Sequence, residues 1–215
     1  MPMTKDRLAL KKIEKSIAGG KILSDISFSV SENEIVGLLG PNGAGKTTAF
    51  YIAAGLLFPD KGCVEIDGHV VTNLPMHKRS KVGLSYLPQE ASIFQDLTVE
   101  ENLRGIAELK MNIEVDRINF FDMVVDEFGL VNILMQKGRL LSGGQRRKVE
   151  IARTLACNPT ILLLDEPFAG IDPIAIEDIK ALLNKIVARG ISILITDHNV
   201  KETLNLCSRA IIMDA

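Results

Sequence analysis

The run Gly40-Pro41-Asn42-Gly43-Ala44-Gly45-Lys46-Thr47, with a second threonine at Thr48, has the composition needed to hold a polyphosphate. Glycines let successive backbone N–H groups turn inward on phosphate oxygens. A lysine adds a point charge near the β- and γ-phosphates, and a threonine hydroxyl can ligate Mg2+. A second candidate lies far downstream, where Asp165 and Glu166 follow the apolar run Ile161-Leu162-Leu163-Leu164. An acid ending such a strand is suited to hold Mg2+, directly or through water, and Glu166 is then free to polarise an attacking water. His198, in "ILITDHNV", follows an apolar run in the same way. Its chemistry fits a γ-phosphate contact and a plain surface position equally well, whereas His69 and His77 read as surface residues.

A third stretch, "LLSGGQRRKVEIARTL", opens a helix at Ser142, with Gln145 at the spacing of a capping box. A cap needs neither Gly143 nor Gly144, and both weaken a helix. Bare backbone at a helix N-terminus is what an anion binds.

The elements that must position these residues alternate strand and helix. "EIVGLLG" is apolar throughout, as a strand buried on both faces should be, and the helix "TTAFYIAAGLL" follows its loop. "TILLLDE", "ISILIT" and "AIIM" are further buried strands. Helices are expected over Pro173 to Arg189, ended by Gly190, and over "NVKETLNLC". Such alternation means parallel βαβ units, with ligands at the carboxyl edge of the sheet. The opening third is different. Ile26, Phe28 and Val30 alternate, and Asp67-Gly68 between two β-rich runs signals a hairpin, so antiparallel strands are expected there. From about residue 89 to 158 the chain turns helical. Thr98 and Glu101 form a second capping-box pattern, and Ile118, Phe121, Val125 and Phe128 recur at helical spacing, with Asp122, Asp126 and Glu127 among the polar positions. This stretch reads as an insertion into the core. Linkers, repeats and low-complexity tracts are absent from the sequence.

The 215 residues are 47% hydrophobic and 24% charged, a globular balance with enough chain for one ample core. A net charge of −2, no tryptophan and few aromatics argue against a nucleic-acid surface. Cys63, Cys157 and Cys207 are scattered outside any metal-ligand spacing and read as reduced, buried thiols of a cytosolic protein. "MPMTKDRLALKK" lacks the apolar core of a signal peptide, and no apolar run approaches the ~20 residues that span a bilayer. Direct membrane insertion is not expected, and any membrane role would come through a partner.

"LSGGQ" at Leu141 to Gln145, lying after "GPNGAGKTT" and before "LLLLDEP", resembles the signature of ATP-binding-cassette (ABC) ATPases. The resemblance runs along essentially the whole chain. It implies an α/β P-loop NTPase of the ABC ATPase fold, with a RecA-like parallel-sheet core, an antiparallel β subdomain and an inserted α-helical subdomain. The span 1–215 would be a single ATP-binding domain, with 1–88 and 159–215 as nucleotide-binding core and 89–158 as helical subdomain. ATP and Mg2+ are the implied cofactors, and the implied assembly is a head-to-tail homodimer enclosing two ATP. Ser142, Gly143, Gly144 and Gln145 would then face nucleotide held by the other subunit. By the same resemblance Gln89 senses Mg2+ and the γ-phosphate, Asp172 crosses the dimer interface, Glu166 is the catalytic glutamate and His198 the switch histidine. Ile17 stands where the family usually stacks an aromatic ring on adenine. Losing that ring contact would weaken ATP by ~0.5–1.5 kcal/mol, up to roughly tenfold in affinity. Gln145 stands where some relatives carry glutamate.

"YLPQEASIFQDLTVEENL", "RRKVEIARTLACNP", "DEPFAGIDP" and "LITDHNVKETL" resemble the ATPases of bacterial lipopolysaccharide exporters more closely than the family at large. That likeness implies two transmembrane permease subunits, contacted through a groove near Gln89–Leu97, and a place on the cytoplasmic face of the inner membrane. Ala91, Ile93, Phe94 and Leu97 suit either that groove or core packing. The ATPase of another ABC transporter, such as a branched-chain amino-acid importer, shares the catalytic motifs. A soluble ABC ATPase usually carries tandem cassettes or a coiled coil, and the sequence has neither. A GTPase lacks support because no Asn-Lys-x-Asp motif occurs. The chain stops at "IIMDA", where relatives continue through a hairpin and a helical segment, which leaves dimer strength and coupling open. Glu166→Gln is expected to bind ATP and to dimerise while hydrolysis falls ~10² to 10⁴-fold; rapid phosphate release by that variant would remove Glu166 from its role.

Overall fold

The computed structural model describes residues 5–214; Met1–Thr4 and Ala215, part of the expected domain span and of the N-terminal reading, lie outside the described residues. Three apolar runs form the centre of a parallel sheet: β3 (Ile35–Leu39), β7 (Ile161–Asp165) and β8 (Ser192–Thr196), every residue of them buried. The sheet has five strands in the order β6-β7-β8-β3-β9, completed by β6 (Leu84–Leu87) and β9 (Arg209–Ile212). Leu164 and Gly37 both pair with Ile195, and Asp165 pairs with Thr196. The carboxyl ends of β7, β8 and β3 therefore open side by side.

The antiparallel sheet, order β2-β1-β4-β5, comprises β1 (Asp6–Ile17), β2 (Gly20–Ser31), β4 (Lys61–Ile66) and β5 (His69–Val70). Asp67 and Gly68 join β4 to β5 with φ of 49° and 81°, the left-handed pair that a two-residue hairpin turn demands. The long strand β1 was not read from the sequence. Its register shifts around Leu10 to Ser16, which interrupts simple alternation.

Helix α1 (Lys46–Ala54) is shorter than expected, because Gly55 turns left-handed at φ 80° and ends it. Its last carbonyls are met by Arg79 at the end of α2 (Met76–Arg79), a side chain with no solvent exposure. The guanidinium donates to the carbonyls of Ile52 at 2.6 Å and Ala53 at 2.8 Å, and to those of Leu74 and Thr72 at 2.8 and 3.0 Å. Burial pulls its pKa down to about 10. A cation placed there complements the negative end of the helix dipole.

Helices α3 (Val99–Lys110), α4 (Glu114–Glu127) and α5 (Gly143–Leu155) lie between β6 and β7, and α3 opens on the expected capping box, Thr98 with Glu101. On α4 the buried face is Phe120, Phe121, Val124 and Val125, with Phe128 just beyond. Ile118 does not join it and stands 46% exposed, so the expected stripe is corrected by one position at its start. Helices α6 (Pro173–Ala188) and α7 (Val200–Leu206) complete the fold.

Successive residues of the central strands point to opposite faces. Val36, Leu38, Ile161, Leu163 and Leu194 pack with α1 and the antiparallel sheet, while Ile35, Leu162, Leu164, Ile193 and Ile195 pack with α3 to α6. The three cysteines are free and only half-buried, less enclosed than expected, and burial pushes the Cys207 thiol up to about 12. Among the described residues no helix is long and apolar enough to cross a membrane. Arg79→Met strands the four carbonyls it serves and is expected to lower unfolding free energy by about 3 kcal/mol. Urea denaturation measures this, and an unchanged midpoint would show that the buried cation is dispensable.

Candidate active site

A cavity of about 300 Å3 sits at the carboxyl edge of the parallel sheet. Asn42, Gly43, Gly45, Lys46, Thr47 and Thr48 line one side, Asp165 and Glu166 another, and Thr196, Asp197 and His198 a third. The loop's shape requires glycine in two ways. Gly45 has φ 85° and a Cβ there would stand 2.6 Å from Leu23 Cδ2; at Gly40 it would stand 2.2 Å from the Met213 carbonyl oxygen. Lys46 Nζ donates to the Gly40 carbonyl at 2.6 Å and to the Pro41 carbonyl at 2.8 Å, which folds its charge onto the loop. Ala44 is buried against the core beneath.

Glu166 is held from both sides. Gln89 Nε2 donates to Oε2 at 2.7 Å, and His198 Nε2 lies 2.7 Å from Oε1. Three residues distant in sequence thus meet at one carboxylate. Glu166 itself is left-handed, at φ 46°, a strained conformation for a non-glycine residue. Its N–H donates to the Thr196 carbonyl at 2.8 Å. Neighbouring Asp165 is buried and accepts from the Tyr86 hydroxyl at 3.2 Å. Burial raises the Asp165 pKa, and the Tyr86 hydroxyl partly offsets that; burial and the Asp165 charge together raise the Tyr86 phenol. Asp197 pins the surrounding loops by accepting from the Phe168 N–H at 2.9 Å and the Asn199 N–H at 2.8 Å.

Other expected residues lie elsewhere. Ser142 Oγ accepts from the Gln145 N–H at 3.3 Å, and Gln145 Oε1 accepts from the Ser142 N–H at 3.0 Å, completing the expected capping box on α5. Gly144 is buried, and a Cβ there would come within 2.5 Å of Ala175 Cβ. Asp172 caps α6 by accepting from the Ala175 N–H at 3.0 Å. Ser142, Gly143, Gly144, Gln145 and Asp172 therefore gather around the start of α6 as a second cluster, and none of them lines the cavity. Ile17 is 46% exposed and is also absent from the lining, where Ile22 of β2 stands instead.

A family model described as ABC transporter matches residues 23–169, from β2 through both acids to the loop beyond. The chain belongs to the ABC transporter family. Among curated relatives, the lipopolysaccharide export system ATP-binding protein LptB of Haemophilus influenzae is 51% identical over 209 residues, covering 97% of this chain and 87% of the relative. LptB of Escherichia coli is 46% identical, covering 96% and 86%. A probable ABC transporter ATP-binding protein of Azorhizobium caulinodans is 51% identical, covering 96% and 73%. Among solved structures, a nucleotide-free ATP-binding cassette from an ABC transporter superposes with a TM-score of 0.85 at 27% identity, covering 97% and 87%. A dimeric post-hydrolysis ATP-binding cassette bound to ADP and Pi gives 0.81 at 27%, covering 96% and 94%. The fold is the ABC ATPase fold.

In this cassette sequence reading misses Ile22, Thr196 and Asp197 of the cavity wall, and Tyr86 and Arg147, which hold Asp165 and Glu166 from behind it. Arg147 carried a usable signal: with Gly144, Glu150 and Ile151 it falls on the buried face of α5, where a charge is out of place. Gly144, read from sequence as an anion donor, has a packing reason of its own in Ala175. Gly144→Ala is expected to destabilise the ABC ATPase fold by roughly 1–3 kcal/mol through overpacking, and Ala175→Gly in the same chain should restore part of it. Thermal melts of the three variants test this; full independence of the two substitutions would rule out the contact.

Proposed function

We propose that this cassette is the ATP-hydrolysing subunit of a lipopolysaccharide exporter, acting as a head-to-tail homodimer beneath two transmembrane permease subunits. The observation that carries hydrolysis is the Glu166 carboxylate held between Gln89 and His198, each at 2.7 Å, on the rim of a phosphate-binding loop. The observation that favours lipopolysaccharide export is the 46–51% identity to LptB proteins over 96–97% of the chain.

ATP enters with its phosphates on Gly40–Thr48 and its base toward Ile17 and Ile22. The Lys46 ammonium exchanges loop carbonyls for β- and γ-phosphate oxygens. Thr47 and Asp165 would hold Mg2+, with Gln89 alongside. A single buried carboxylate and a hydroxyl suit an ion that takes its remaining ligands from water and substrate phosphates. When bound, it neutralises charge on those phosphates. Glu166 orients the attacking water and draws its proton, while His198 steadies the carboxylate and reaches the γ-phosphate.

The second cluster supports the dimer. Ser142, Gly143, Gly144 and Gln145 present a helix N-terminus that does not face their own cavity, with Asp172 beside them, so the anion they suit belongs to another subunit. Toward the membrane, Phe94 is 54% and Leu97 39% exposed, and Ala91 is exposed, whereas Ile93 is buried in the core. The docking groove is therefore assigned to Ala91, Phe94 and Leu97, with residues 89–158 moving as the helical unit on the cytoplasmic face of the inner membrane. Gentle purification of the tagged chain from membranes, followed by mass spectrometry, is expected to recover a lipopolysaccharide-export permease pair. Recovery of amino-acid permeases would replace this reading with the importer.

A further inference from the structure

We infer that Arg147 is a positioning residue that locks Gln89 and Glu166 in register with the signature helix, and so links nucleotide engaged in trans by Ser142 to water activation in cis. The inference rests on the head-to-tail dimer proposed above.

Arg147 is 5% exposed and lies on α5, within two turns of the Ser142 cap. Its guanidinium gathers backbone from two distant segments. Nη2 donates to the carbonyls of Asp165 at 2.9 Å and Glu166 at 3.0 Å, and Nε to that of Pro167 at 3.2 Å. Nη1 donates to the Pro88 carbonyl at 3.0 Å, the residue before Gln89, and to Glu150 Oε2 at 3.2 Å. Glu150 in turn accepts from the Ser92 N–H at 2.8 Å, so the chain is fastened on both sides of Gln89.

The points held are those that decide where the catalytic side chains stand. Glu166 is left-handed; its N–H donates to the Thr196 carbonyl, and its own carbonyl accepts from Arg147 Nη2 at 3.0 Å and from the Ala169 N–H at 3.2 Å. Gln89 meets Glu166 across the gap that the same fork spans. Burial lowers the guanidinium's pKa, a cost that an apolar residue on this face of α5 would not incur. Only a planar fork can serve both segments at once; a lysine reaches one direction. Because α5 begins at Ser142, any shift of its N-terminus on meeting the partner's nucleotide is carried by Arg147 to Pro88 and Glu166 of its own subunit.

Arg147→Lys and Arg147→Met in the full chain test this, with melting temperature, ATP affinity, kcat, KM and the Hill coefficient for ATP as readouts. The lysine variant keeps the cation beside Glu150 but leaves the carbonyls of one segment unserved, so it should stay folded with a lowered melting temperature and bind ATP with little change. Its kcat is expected to fall on the order of 10²-fold, as for a small misplacement of catalytic groups, and its Hill coefficient to drop to about 1. The methionine variant should lose stability as well; if it does not fold, the lysine variant decides alone. A folded lysine variant with kcat within about threefold of wild type, or with a loss confined to KM, overturns the role. A wild-type chain that hydrolyses no ATP fails the functional reading and this inference with it. An active, cooperative wild type matched by the lysine variant overturns Arg147 alone.

Discussion

Parallel pairing of β7, β8 and β3 in one register is the constraint on which the rest depends. Asp165 lies opposite Thr196, and both Leu164 and Gly37 lie opposite Ile195, so three chain reversals occur at one level of the sheet. A strand that slipped by one residue would send Asp165 and its apolar neighbours to the opposite faces. Full burial of all three strands opposes such slippage, because a slip of β7 carries Asp165 in among the leucines. The phosphate loop, the acid pair and His198 meet because hydrophobic pairing leaves them nowhere else to go.

Upon that frame the site adds local strain and local restraint together. A left-handed glutamate costs on the order of 1–3 kcal/mol. Here it is offset by the hydrogen bond that its N–H donates to the Thr196 carbonyl of β8, by those that its carbonyl accepts from Arg147 of α5 and one carboxylate oxygen accepts from Gln89, and by the contact of the other carboxylate oxygen with His198. Asp197 adds a strut between the two loops that flank the cavity. The consequence is a carboxylate whose direction is set by four separate elements, so that movement of any one is felt at its oxygens.

What was legible in the sequence was chemistry carried by neighbours along the chain. Gly40 to Thr48, Asp165 with Glu166, the Asp67-Gly68 turn and the two capping boxes each involve residues within a few positions of one another; the turn and the boxes form as read, and residues of the loop and both acids line one cavity. Tyr86 and Asp197 reach Asp165 and Phe168 across space with no local pattern to announce them, and Arg147 is announced only by a charge on the buried face of α5. Strand β6 is four residues between Gly83 and Pro88, too short for a period to declare itself. Ile118 keeps helical spacing yet is exposed while Phe120 and Phe121 are buried, since period alone does not specify depth. Ile17, read by resemblance as the adenine neighbour, is exposed at the end of β1 and outside the cavity, whose wall includes Ile22 of β2.

The division of the central sheet into two packed faces has a consequence for divergence. Leu162, Leu164, Ile193 and Ile195 answer to helices α3 to α6, while Leu163, Leu194, Val36 and Leu38 answer to the helix that follows the phosphate loop. Substitutions on one side are screened from the other by a layer of backbone whose hydrogen bonds do not depend on side-chain identity. A lineage can therefore repack the helices on one face of the sheet, so long as Arg147 and the carbonyls it holds keep their places, and leave the packing beneath the phosphate loop on the other face untouched.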